Sequence, residues 1–92
     1  MAATIALMPT DDVAAMLDGV GADSVVLVIR PGRDPTALAL ACATITALAR
    51  ARAPRRLNAV EQGEGIAPAA IEQAVAYLHA APAVTAQVIR LG

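Results

Sequence analysis

The hexapeptide Ser24–Ile29 (SVVLVI) constrains this chain more than any other segment. After the serine it is a continuous run of apolar, mostly β-branched residues, with no polar position to turn toward water. A strand with one wet face alternates apolar and polar residues. A run without alternation suits a strand covered on both faces, the usual state in a parallel sheet flanked by helices. Pro31-Gly32 then turns the chain, and Asp34-Pro35 reads as a helix start, with a capping carboxylate followed by proline at the first helical position. The implied class is α/β.

The rest of the chain fits that class. Thr4–Met8 is a short apolar run ending at Pro9 and predicts a first buried strand. Thr10 is placed to cap a helix with Asp11 and Asp12 in its first turn, and Val13, Met16, Leu17 and Val20 follow at helical spacing. Gly19 or Gly21 can end that element. A long helix is predicted over Pro35–Arg52, a third strand over Leu57–Val60, and a loop over Glu61–Ile66. A third helix over Pro68–His79 would bury Ile71, Val75 and Leu78, and Ala86–Leu91 makes the last strand. The order β-α-β-α-β-α-β predicts a four-stranded parallel sheet in one small Rossmann-like half-domain spanning residues 1–92. Sequential right-handed crossovers would place all three helices on one face of it.

The long helix is unusual in carrying no charge from Pro35 until Arg50. Leu38, Cys42, Ile45 and Leu48 form a stripe of larger residues, while Ala39, Ala43, Thr46 and Ala47 line much of the remainder. A helix apolar on nearly all sides is buried on more than one. One side would lie on the sheet, and the small-residue side would let another helix approach. No second helix of the chain is long enough to cover it, so Ala39, Ala43, Thr46, Ala47 and Arg50 are the candidate interface. Composition agrees: 58% of the 92 residues are hydrophobic and Tyr77 is the one aromatic. The core is therefore thin, and some apolar surface is left to meet another chain.

Two blocks carry a resemblance to a known family. Ala47–Val60 (ALARARAPRRLNAV) is followed by Pro68–Leu91 (PAAIEQAVAYLHAAPAVTAQVIRL). In order and spacing these resemble the carboxy-terminal half of a short-chain dehydrogenase/reductase, where a helix ends in Leu-Ala-x-x-x-Ala-Pro and runs into a Val-Asn-Ala-Val strand. The matching residues include Leu48, Ala49, Ala53, Pro54, Leu57, Asn58, Ala59 and Val60, then Ala76, Tyr77, Leu78, Val84, Thr85, Gln87 and Val88. The resemblance implies that the last helix crosses to the opposite face of the sheet, that Asn58 bridges backbone, and that the first strand has lost its usual neighbour. It also implies pairing through the long helix and through the last helix and strand.

The chemistry of the family is missing from the matching positions. Its catalytic Tyr and Lys, four residues apart early in the long helix, fall on Asp34 and Leu38 here. A carboxylate is no phenolic proton donor, and a leucine cannot hold a ribose or lower a neighbour's pKa. Tyr77 falls in a different helix, the chain has no lysine, and Ser24 precedes the strand after which the family's serine would stand. No glycine-rich turn follows a first strand, and Gly19-Val20-Gly21 follows a helix instead. The expectation is a protein with no enzymatic activity and no cofactor.

Other candidates are weaker. Arg30, Gly32 and Arg33 sit at a strand-to-helix turn where amides could hold an anionic ligand, and this binding-module reading is the alternative function. His79 reads as a solvated cap near a helix end, and Cys42 as a small hydrophobe within an apolar stripe. Glu61, Glu64 and Glu72 read as solvated charges without metal-site spacing. Arg50, Arg52, Arg55 and Arg56 cluster where cations oppose a helix dipole.

A net charge of −1 excludes a typical nucleic-acid binder. The uncharged stretch Pro35–Ala49 is too short to cross a bilayer, and a cytoplasmic protein without membrane contact is expected. The expected function is assembly, as a homo-oligomer or as a small subunit beside a full-length short-chain dehydrogenase.

Overall fold

The computed structural model describes all residues, Met1–Gly92. Strands β1 (Ala2–Leu7), β2 (Ser24–Ile29), β3 (Arg56–Gln62) and β4 (Val88–Leu91) alternate with helices α1 (Val13–Leu17), α2 (Pro35–Arg52) and α3 (Pro68–Ala80). The four strands form one parallel sheet in the order β1-β2-β3-β4. The predicted fold class is the observed one.

Every residue of β2 is buried, as its composition requires. Val25, Leu27 and Ile29 join Leu57 and Ala59 of β3 under α1 and α2, in a cluster that includes Val13, Leu17, Ala41, Ile45 and Ala49. Val26 and Val60 point the other way and meet Leu78 of α3, with Ala74, Val75, Ile89 and Leu91 around them. α3 therefore lies on the face opposite α1 and α2.

This corrects the expectation of three helices on one face and follows the family resemblance instead. Each connection steps the same way across the sheet, so a helix on the other face gives β3–α3–β4 the opposite hand to the two units before it. The two-sided apolarity of β2 supplies the reason. With α1 and α2 on one face, Val26 and Val60 would face water unless α3 crossed over.

α3 does not reach across the whole face. Ala2, Thr4 and Ala6 of β1 stay exposed on its side, while Ala3, Ile5 and Leu7 point to the α1 side. β1 is also an edge strand, as expected, and it carries no charge to blunt pairing. Only 18 of 92 residues are buried, which makes the core as thin as the composition suggested.

Several boundaries differ from expectation. β1 starts two residues early and ends at Leu7. α1 begins at Val13 because Asp12, rather than Thr10, caps it, accepting from Ala15 N–H at 2.9 Å. β3 continues through Glu61 and Gln62, which had been expected in a loop, because Glu61 pairs in register with both Ile29 and Arg90. Gly63 then passes so close to β4 that a Cβ there would sit 2.7 Å from Leu91 O. β4 starts at Val88, since Ala86 takes a φ of 61° and breaks the strand before it.

Candidate functional site

In open α/β sheets ligands favour the carboxyl ends of the strands. There an open crevice of about 480 Å³ lies between the β2–α2 turn and the end of β3. Arg30, Gly32, Arg33, Asp34, Leu38, Glu61 and Glu64 all border it, so the predicted turn residues do come together. Gly32 has a φ of +123°, and a Cβ on it would sit 2.9 Å from Pro9 Cγ. The turn is thereby fixed against the end of β1.

The donors of this turn are engaged in part: Arg30 is exposed without a side-chain hydrogen bond, and Arg33 Nε is buried without an acceptor. Arg33 donates to Met8 O at 3.1 Å and to Asp11 O at 2.6 Å, tying the α1 loop to the turn. Asp34 caps α2 as expected, its Oδ1 accepting from Ala37 N–H at 2.8 Å. That carboxylate occupies the end of the helix where an anion would otherwise sit.

Glu61, read from sequence as a solvated loop charge, is instead a strand residue with its side chain 12% exposed, held by Arg90 at 2.6 Å. Burial first and the Glu61 carboxylate second push the nearby Cys42 thiol up from its ordinary range. Cys42 is half-buried against the main core, in agreement with a small-hydrophobe role.

These residues do not fit the nicotinamide dinucleotide that the fold family implies. Its phosphates would meet the Asp34 carboxylate at the helix end and Glu61 and Glu64 around the crevice, with only the exposed Arg30 as a free cation beside them. Tyr77 is 60% exposed on α3, in a separate groove beside Val84 and Ile89.

The outer face of α2 is the second candidate. Ala39, Leu40, Ala43, Ala47 and Arg50 are exposed at helical spacing, and Leu40 is 67% exposed. Thr46 is half-buried, with its hydroxyl donating to Cys42 O at 3.1 Å. The side facing the sheet differs from expectation. Its centre is Ala41, Ile45 and Ala49, with Leu38, Cys42 and Leu48 flanking. The larger stripe is thus split by two alanines, which let α2 approach the sheet closely. α1, only five residues long, covers one flank and leaves the outer face open.

At the amino ends of the strands, sequence reading missed a polar cluster. His79 is no solvated cap. Its Nδ1 lies 2.8 Å from Ser24 Oγ and its Nε2 3.0 Å from Thr4 Oγ1, spanning β2 and β1 beneath the end of α3. Burial first and the Arg56 guanidinium second hold its pKa below the ordinary 6.5.

Arg56 donates to Leu78 O, His79 O and Ala81 O, so it caps α3 and not the α2 end to which sequence had assigned it. The signal for this was the register, which sets Arg56 beside Ser24. Asn58 is fully buried and bridges backbone as the resemblance implied, donating to Val84 O and accepting from Gln87 N–H, each at 3.0 Å.

Fold and site together define a small parallel α/β domain of Rossmann-like type, with a polar crevice at the carboxyl ends of its strands and an uncovered helix face. The model of the SDR-like family, described as short chain dehydrogenase-like protein, matches residues 2–91, and the chain belongs to that family. No curated protein and no solved structure matches it. No helix is long and apolar enough to cross a membrane.

Proposed function

We propose that this SDR-like chain is non-catalytic and works in assembly, either with copies of itself or as a small subunit beside a full-length short-chain dehydrogenase. The observation that carries the reading is the outer face of α2. It runs uncharged through Ala39, Leu40, Ala43 and Ala47 before Arg50, and it is exposed along its length. Small side chains let a second helix approach closely, and an exposed leucine on such a face gains free energy only when covered. Asp34 and Leu38 at the positions matching the family's Tyr and Lys support the non-catalytic part. The anion-ligand alternative at Arg30, Gly32 and Arg33 is less supported, because the Asp34 carboxylate caps the start of α2 and Glu61 and Glu64 border the same crevice.

Native mass measurement of the chain alone and after co-expression with short-chain dehydrogenases tests the reading. A dimer or larger species, or a stable mixed complex, is expected. A monomer under both conditions contradicts it.

A further inference from the structure

A second cavity, open to solvent and of about 420 Å³, lies at the opposite end of the domain from the crevice, under the turn that leaves α1. That volume is within the range of small-molecule pockets, about 300–1,000 Å³. One wall is apolar, made by Leu17 at the end of α1, Val20 in the turn after it and Leu48 of α2. Arg52 and Arg55 border the other side. The Arg55 N–H donates to Arg52 O at 3.0 Å, in the turn that ends α2 and brings the two residues together.

Neither guanidinium is neutralised. The ion pairs of the chain are Met1 with Asp23 and Glu61 with Arg90. Arg52 donates through one terminal nitrogen to Val20 O at 2.9 Å, which fixes it across the cavity, while its Nε–H is buried without an acceptor. Arg55 is exposed and makes no side-chain hydrogen bond within the chain. A guanidinium N–H buried without a partner leaves the Arg52 charge uncompensated within the fold. Asp18 also borders the cavity; it and Arg55 are both exposed and screened by solvent and salt, so the half-buried Arg52 is the least screened charge there.

We infer that this cavity binds an amphipathic anion, a carboxylate or phosphate monoester whose head meets Arg52 and Arg55 and whose apolar body lies on Leu17, Val20 and Leu48. Guanidinium groups suit such planar or multidentate oxyanions. The reading is independent of assembly through α2, since the cavity is formed within one chain.

Gly21 supplies a clean variant. It borders the cavity, its backbone is outside the left-handed region, and a Cβ there meets nothing within 4 Å. Gly21→Leu therefore places its first side-chain carbon in open space at the cavity border, and its melting temperature checks that the longer side chain leaves the fold intact. Arg55→Ala removes a guanidinium that the fold does not use.

The probes are octanoate, octyl phosphate, octanol and inorganic phosphate, each titrated by calorimetry with thermal melts of every variant. Saturable binding of octanoate or octyl phosphate is expected, and the tighter of the two identifies the head group. Octanol and inorganic phosphate should bind at least tenfold more weakly. Arg55→Ala should weaken the anion at least tenfold, and Gly21→Leu should abolish binding, both with unchanged melting temperature. Absence of binding by both octyl anions overturns the inference. So does inorganic phosphate binding as tightly as octyl phosphate (an adventitious ion only), or full affinity in folded Gly21→Leu.

Discussion

Ser24 Oγ and His79 Nδ1 lie 2.8 Å apart, joining the first residue of β2 to the last turn of α3. With Thr4 on the other ring nitrogen, the contact ties α3 to two strands on a face it otherwise covers only in part. A serine beside a histidine invites a catalytic reading, but Ser24 is 3% exposed and lies at the amino ends of the strands. No carboxylate orients the ring, whose other partner is a hydroxyl. The pair serves as a clamp.

The clamp sets a pH dependence. The folded pKa of His79 lies below 6.5, so between the two values the unfolded chain binds the extra proton. Stability is full above 6.5 and is lost as pH falls through 6.5 toward the folded value. The upper edge of this window, at 6.5, lies above the range of ordinary carboxylates, near about 4. Melting temperature measured by circular dichroism should fall across it, and His79→Gln should flatten that limb. An unchanged slope in the variant rejects the clamp as its source.

Arg56 should influence the same titration. Arg56→Ala removes a cation that opposes protonation and also uncaps three carbonyls of α3. The His79 pKa, followed by proton NMR, should rise but stay below 6.5, since burial is the larger cause. Stability should drop by about 1.5–3 kcal/mol, the worth of hydrogen bonds from a charged group.

Asn58→Leu should cost more than its similar size suggests. Val84 O loses its donor and Gln87 N–H its acceptor, both in a buried setting. Each orphaned group costs about 1–3 kcal/mol, so urea denaturation should show a loss of about 2–6 kcal/mol. A loss under about 1 kcal/mol would mean that water replaces the amide.

The non-catalytic proposal predicts no saturable signal when NAD(H) or NADP(H) is titrated into the protein, and no turnover of carbonyl or alcohol substrates. Micromolar binding of either nucleotide contradicts it.

Much of the fold was legible because local chemistry carried it. Ser24–Ile29 announced a doubly covered strand, and Asp34-Pro35 announced the start of α2. The boundary of β3 was not legible, because Glu61 and Gln62 are held in the strand by register with β4, a long-range pairing. The face chosen by α3 followed from the two-sided apolarity of β2 only once α1 and α2 were placed. The roles of His79 and Arg56 were hidden for the same reason, since their partners lie 55 and 22 residues away. The exposure of Ala43 and Ala47 was readable from an uncharged helix with nothing in the chain to cover it.

That uncovered face makes the concentration dependence of stability the most direct test of the account. Protomers that associate through α2 are stabilised by mass action, and a thin core makes the gain visible. Thermal melts over a hundredfold range of protein concentration should show a midpoint that rises with concentration. In Ala43→Glu, where a charge would be buried in the helix contact, the midpoint should stay low and constant. A reversible melt of the native chain whose midpoint does not move, from a species of monomer mass, contradicts assembly as the work of this protein.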